Sequence, residues 1–547
     1  METGDRRKFI AIVGAGLAGA AVAAHPQAAA AQSQKAAADD TSASLSTHPH
    51  SSPGFYNVRG FGATGDGRTI DSSAINDAIA AAERDGGGGI CFPSGNYLCY
   101  SIRLRSNVAL YLEAGVTIIA ADTPPPGEAG GYDAAEAKQA WDGYQDYGHN
   151  HWHNSLIWGE NLHDISIFGP GRIWGRGLVN GDDEERGAGS RGVGNKAIGL
   201  KLCRNVTLKD FQILKGGWFA ILATGVDNLN IDGLTIDTNR DGIDIDCCRN
   251  VRISNCAVNS PYDDAIVPKS SFALGYNRST DNLLITNCYV TAAYEVGAML
   301  DGSWKRLKNS ADWSPTGRIK FGTESNGGFK NIVVSNCVFE GCQGLALESE
   351  DGALLEDITI TNITMRDITS APIFLRLGSR LRGPKGTQVG ALRRILISNI
   401  VCSNAASTLC CILSGIPGHP IEDVTITNVH IQHRGGAKIE QAALAPPEEE
   451  AAYPDPKMFG PMPSQGFFIR HATNIAISNL RIVAASSDAR PSFILSDVDG
   501  AEFFHIAASE PPSVPKFVLN NVRSFSASHV KGIKDIIIDF AAHQMLG

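Results

Sequence analysis

At 547 residues, 43% of them hydrophobic, the chain has ample material for a large core. Its formal charge of −10 argues against nucleic acid as a partner, and any acidic ligand must be met by local Lys and Arg. Length alone suggests several domains, but a repeat grows by adding turns instead.

In chain order, Asp5-Arg6-Arg7-Lys8-Phe9-Ile10 precedes an apolar stretch from Ala11 to Ala24 and small residues from Ala28 to Ala31. Residues 1–31 are therefore predicted to be a twin-arginine-like signal peptide, and the protein to be exported, periplasmic or extracellular. Within it, Gly14-Ala15-Gly16-Leu17-Ala18-Gly19 matches a dinucleotide fingerprint, but no βαβ pattern surrounds it, so it reads as a signal core. Nothing after it is long and apolar enough to span a membrane. Residues 32–52 read as a disordered linker, and residues 53–547 as one domain. Its N-terminal cap region is 53–120, with a Gly-rich loop at Phe61–Gly67 and helical spacing from Asp71 to Ala82, Asp71 being the N-cap. Residues 121–155 form an insertion.

From about residue 161 a repeat takes over, opening with a motif such as Arg249-Asn250-Val251-Arg252-Ile253. Openings recur at Asp164, Asn205, Asn228, Asn250, Asn282, Asn331, Asp357, Arg394, Asp423 and Asn474; spacings of 22, 23 and 26 residues alternate with gaps of 32, 49 and 51 that imply inserted loops. Each unit holds short alternating Val/Ile/Leu strands. Five residues after an opening stands an Asn: Asn255, Asn287, Asn336, Asn362, Asn399, Asn428 and Asn479. That register predicts an Asn ladder inside a turn, bonding the backbone of its own and the next coil. The fold class is all-β, a right-handed parallel β-helix with a short N-terminal capping helix. Cys256, Cys288 and Cys337 stand six residues after an opening and read as small core side chains. A disulfide between neighbouring turns remains open.

Thirteen residues after Asn228, Asn250 and Asn282 stand Asp241, Asp263 and Glu295. Stacked coils would line these acids up on one face. Like charges so placed raise the pKa of at least one member, a costly arrangement that suits acid/base chemistry.

Asn239-Arg240-Asp241-Gly242 and Asp263-Asp264 followed by Lys269 resemble the Asn-Thr-Asp-Gly and Gly-Asp-Asp…Lys motifs of glycoside hydrolase family 28, the polygalacturonases and rhamnogalacturonan hydrolases. The resemblance runs over most of the chain after the signal and implies a pectin-lyase-like solenoid. It implies Asp263 as general acid, with Asp241 and Asp264 holding and deprotonating the attacking water, and inversion at the anomeric carbon. Coils about 4.8 Å apart stand against the roughly 6.5–9.5 Å usual between inverting carboxyls. The family's Gly-His-Gly has no counterpart, since the coil position holds Glu295-Val296-Gly297. Arg-Ile-Lys stands at Arg318-Ile319-Lys320, one coil earlier than the family pattern. Lys269, Arg318 and Lys320 suit an anionic uronate sugar, and Asn239 and Glu295 join them as candidate substrate-binding residues.

His149, His151 and His153 alternate, which reads as a cleft lining or polar face; no fourth ligand supports zinc. Trp141, Tyr144, Tyr147 and Trp152 fit sugar stacking or packing of the insertion. Arg376, Arg380 and Arg382 alternate as on one exposed strand face. Residues 434–466, rich in Pro and Glu, read as a long loop beside the cleft. The expected function is pectin-backbone hydrolysis at α-linked galacturonic acid by a monomer needing no cofactor or metal. Alternatives are a rhamnogalacturonan hydrolase, a calcium-dependent polysaccharide lyase and a non-catalytic carbohydrate-binding solenoid.

Overall fold

The computed structural model describes residues 54–125, 127–180, 190–308 and 314–547; the predicted signal and linker lie outside them. Strands of consecutive coils pair in parallel, and one aliphatic column keeps its register from coil to coil. Leu229, Val251, Leu283, Ile332, Ile358, Ile395, Val424 and Ile475 sit above one another in successive rungs, each at most 1% exposed. Alternation along each strand sends every second side chain into this stack. The architecture is a parallel β-helix.

The repeat's recurring Asn positions have a backbone cause. All seven predicted ladder residues lie at φ between 49° and 57°, and all ten opening residues are left-handed too. Each coil turns a corner at these two places, and Asn and Asp tolerate the left-handed region best among residues with a side chain. The ladder differs from expectation in its partners. Its amides are exposed and bond one another, as Asn399 Nδ2 does to Asn362 Oδ1 (3.1 Å) and Asn428 Nδ2 to Asn399 Oδ1 (2.6 Å). The corner carries the side chain out of the core, where the polar side chains of the preceding coil are in reach.

The N-terminal helix, Ser72–Arg84, buries Ile75, Ala78, Ile79 and Ala82 against the first coils. Asp71 makes no capping bond to the helix. Its carboxylate instead accepts from the Thr64 and Gly65 amides (2.7 and 3.0 Å), fastening the Gly-rich loop. At the other end, Ile536–Leu546 runs antiparallel to Phe517–Ser528 and ends the parallel stack. All twelve cysteines are free thiols, Cys256, Cys288 and Cys337 buried in successive coils. No described helix is long and apolar enough to cross a membrane.

A six-stranded sheet contains Ser155–Glu160, Lys196–Lys201, Phe219–Thr224, Asp241–Asp246 and Ile266–Lys269; the rungs beginning at Lys320, Leu345, Ile373, Cys411 and Phe467 continue this face. The long connections that end at residues 154, 195, 319 and 466 each lead directly into a strand of this face.

If the corner conformation sets the Asn requirement, Asn399→Ala lowers stability by about 1–2 kcal/mol, and Asn399→Gly by distinctly less. Urea unfolding midpoints of the two variants check this; equal losses would place the cause in the amide bonds.

Candidate active site

The strand Asp241–Asp246 follows a sharp turn in which Asn239 Oδ1 is buried without a partner. Ile243 and Ile245 fill the core, while Asp244 and Asp246 face away from it. Gly242 cannot be larger, because a Cβ there would come within 2.4 Å of the Ala265 carbonyl on the next coil. That close approach brings the two acidic segments together.

Register corrects one expectation. Asp237 pairs with Asn259 but Ile243 with Ile266, so the second turn holds one extra residue. Asp264, not Asp263, lies level with Asp241, and Asp263 projects from the turn. The extra residue does not separate the group: Asp241, Asp263 and Asp264 each place an oxygen within 4.8 Å of the others. The Asp264 amide donates to Asp241 Oδ1 (3.1 Å) and Asp263 Oδ1 (3.1 Å).

Glu295 departs from its expected place. The coil that begins at Asn282 is interrupted after Thr291, and its next strand on this face is Lys320–Phe321. Counting thirteen residues therefore lands inside an inserted turn, where Glu295 pairs with Lys305 (2.7 Å). The place above Asp264 goes to Arg318 and Lys320. Arg318 Nε lies 3.0 Å from Asp264 Oδ1, and Lys320 Nζ 3.1 Å from Oδ2. Lys269 is buried in the same cluster, with Nζ 3.1 Å from Glu324, 3.6 Å from Asp244 and 4.0 Å from Asp241.

These placements split the ionisation of the acids. Burial, then the charges of Asp244 and Asp263, push Asp241 well above the usual carboxylate range. Burial also works upward on Asp264, but Lys320 and Arg318 outweigh it and hold the carboxyl below its ordinary value. Burial raises Asp244 to about 8 against the pull of Lys269, and Glu348 to about 7 against Lys320 and Arg318. Asp263 has the most accessible side chain of the triad, at 25%. Arg240 Nε lies 2.8 Å from its Oδ2 but off the hydrogen-bond direction. Neighbouring groups with oppositely displaced pKa values are what a proton-transfer pair requires.

Three participants escaped sequence reasoning, Asp244, Glu324 and Glu348; a fourth, His149, is the one of the three alternating histidines that reaches the acids. His149 comes from the 121–155 insertion; Lys269 Nζ donates to its Nε2 at 3.0 Å. Burial and then Lys269 hold its pKa far below normal, so it is neutral. The three alternating histidines do not converge: His151 packs edge-on against Tyr147 and His153 meets Glu160 at 2.8 Å. Trp152 is buried and Trp141 donates to the Ala273 carbonyl (3.2 Å), so both pack the insertion onto the coils. The expected exposed arginine face does not exist. Arg376 is fully buried, Arg380 pairs with Asp351, and Arg382 bridges Asp146 and Glu324 (2.9 Å each). Only Arg376 belongs to a strand, so alternation had no face to describe.

A family model described as "Rhamnogalacturonase A/epimerase, pectate lyase-like" matches residues 55–151, and "Right handed beta helix region" matches residues 190–311. A probable polygalacturonase of Vitis vinifera is 25% identical over 407 residues, which cover 69% of this chain and 74% of the relative. The exopolygalacturonase of Thermotoga maritima superposes with a TM-score of 0.58 at 16% identity, covering 80% of this chain and 94% of its own. The family 28 exopolygalacturonase of Yersinia enterocolitica gives 0.55 at 18% identity, covering 86% and 78%. The likeness to glycoside hydrolase family 28 stands on these matches, and the solved structures carry the fold, a right-handed parallel β-helix.

The Asp244 carboxyl has a stability signature. A folded-state pKa of about 8, above the unfolded value, means the folded protein binds the extra proton. Stability therefore falls as pH rises from about 4 towards 8 and then levels off. Asp244→Asn should flatten that fall, giving a higher melting temperature than wild type at pH 8 relative to pH 5. An unchanged slope would mean the group is ionised throughout.

Proposed function

We propose that the chain is an exported glycoside hydrolase that cleaves α-linked galacturonic acid units of a pectin backbone by acid/base catalysis. One observation carries this reading: three carboxylates within 4.8 Å are flanked by the buried cations Lys269, Arg318 and Lys320. The acids suit glycosidic hydrolysis, and the cations suit a substrate that is itself a polyanion.

In this reading Asp263, the most accessible acid, protonates the departing glycosidic oxygen as the bond to the anomeric carbon breaks. Asp264, held ionised by Lys320 and Arg318, takes the proton of a water whose oxygen attacks that carbon, with Asp241 helping to position it. Asp241 carries the resting proton and sits close enough to Asp263 to share it. Inversion rests on the family resemblance rather than on spacing, which is shorter than inverting enzymes usually show. A second reading, a rhamnogalacturonan hydrolase, is favoured by the rhamnogalacturonase-type match over residues 55–151.

Homogalacturonan and rhamnogalacturonan, incubated in parallel with the enzyme, decide between the two by which one yields new reducing ends. An unsaturated uronide product that disappears with chelation would overturn hydrolysis in favour of a lyase. Asp263→Asn is expected to lower kcat on the polymer by about 10²–10⁴-fold with binding retained. It should lose far less on an aryl galacturonide, whose leaving group needs no proton. The same rescue in Asp241→Asn instead would move the acid role to Asp241. Proton NMR of the first-formed anomer tests inversion, with retention overturning that step.

A further inference from the structure

The acid cluster sits in an interrupted groove. On the N-terminal side, the 121–155 insertion lays Trp152 and Tyr147 against Trp218, Phe219 and Leu222, covering the outer face of the Phe219 rung. Trp152 Nε1 fastens it by donating to Thr224 Oγ1 at 3.0 Å. On the C-terminal side, Phe459 and Met462 of the 436–466 turn pack on Ala346, Phe374 and Ile412, covering the Leu345, Ile373 and Cys411 rungs. The buried Arg376 and Arg470 hold that turn down by donating to the carbonyls of Glu448, Glu449, Pro446 and Pro447 (2.9–3.0 Å). Between the two walls lie the rungs carrying Asp241, Asp264 and Lys320, a width of about 14 Å at three strand spacings, where Asp263 is the acid that reaches the surface.

The two walls are also joined along one flank. Arg382 bonds Asp146 of the insertion (2.9 Å), and Ser379, three residues before it, donates its amide to Glu450 of the C-terminal turn (2.6 Å). From Glu450 the chain runs to Tyr453, whose hydroxyl accepts from Lys320 Nζ at 3.1 Å beside Asp264. Three segments distant in sequence thus make a continuous horseshoe around the acids.

We propose that this horseshoe turns the groove into a chain-end pocket, so that the enzyme removes units from a terminus of an anionic polysaccharide, with Tyr453 setting the C-terminal limit of the site. The inference rests on the hydrolase reading above. A polymer threading along the rod would have to pass through the side chains of Trp152 on one side and of Phe459 on the other. A chain end needs only to enter beside the partly exposed Asp263 and the exposed Tyr453. The cations on this wall have a second use here, since the terminal unit carries its own carboxylate and no neighbour beyond it. Desolvating that carboxylate is offset where Lys320 and Arg318 already stand.

The test measures viscosity and product size together on homogalacturonan and on rhamnogalacturonan. Expected is one small product from the earliest time point, with viscosity nearly unchanged while a few per cent of bonds are cut. Mixed oligomers with early collapse of viscosity would overturn the chain-end inference and leave hydrolysis standing. No new reducing ends from either polymer would overturn hydrolysis, and the inference with it. Replacing residues 446–455 by a short Gly-Ser linker should open one end and raise viscosity loss per bond cut several-fold. Tyr453→Ala, a milder change, should lengthen the released product by at least one unit; an unchanged product size in a folded variant overturns its role as the limit.

Discussion

Parallel coils stacked at one strand spacing leave neighbouring side chains no freedom to move apart, and the site is a consequence of that confinement. Asp241 and Asp264 are level on adjacent rungs, and the turn brings Asp263 alongside. Their repulsion is relieved in two ways that the geometry makes unequal. Asp264 receives two buried cations from the next rung, whereas Asp241 has Lys269 only at 4.0 Å, shared with Asp244 and Glu324. One carboxyl therefore stays charged and the other keeps a proton. Buried ion pairs of this kind contribute little to stability when weighed against the desolvation of both partners. Their effect here is to fix which acid is ionised.

The coil itself was readable because it is periodic at two levels. Alternating Val, Ile and Leu marked strands, and the Asn register marked corners whose left-handed backbone excludes most other residues. The same counting failed at Glu295. A fixed offset assumes turns of equal length, and the 49-residue gap that follows Asn282 already signalled that this one was not. Read with the gap in mind, Arg318-Ile319-Lys320, immediately before the next opening, becomes the natural occupant of that rung.

What His149 and Tyr453 touch was hidden for a different reason. Each reaches the acids from a turn without periodic signal, and the residues it meets, Lys269 and Lys320, are more than a hundred positions away in sequence. Asp244 was closer to hand. The alternation Asp241-Gly242-Ile243-Asp244-Ile245 sends the isoleucines inward and Asp244 outward beside Lys269, which strand periodicity alone could have indicated.

Two of the segments that shape the cleft, 121–155 and 446–453, lie ahead of a strand of the site face, and the third, 378–382, directly follows one, Ile373–Leu377. The aliphatic stack and the Asn corners lie on the other faces and are indifferent to how long those excursions become, since lengthening a surface loop costs only slowly rising entropy. Scaffold and selectivity are thereby inherited separately. A lineage can trade one excursion for another and acquire a new diet of polysaccharides without rebuilding a single rung.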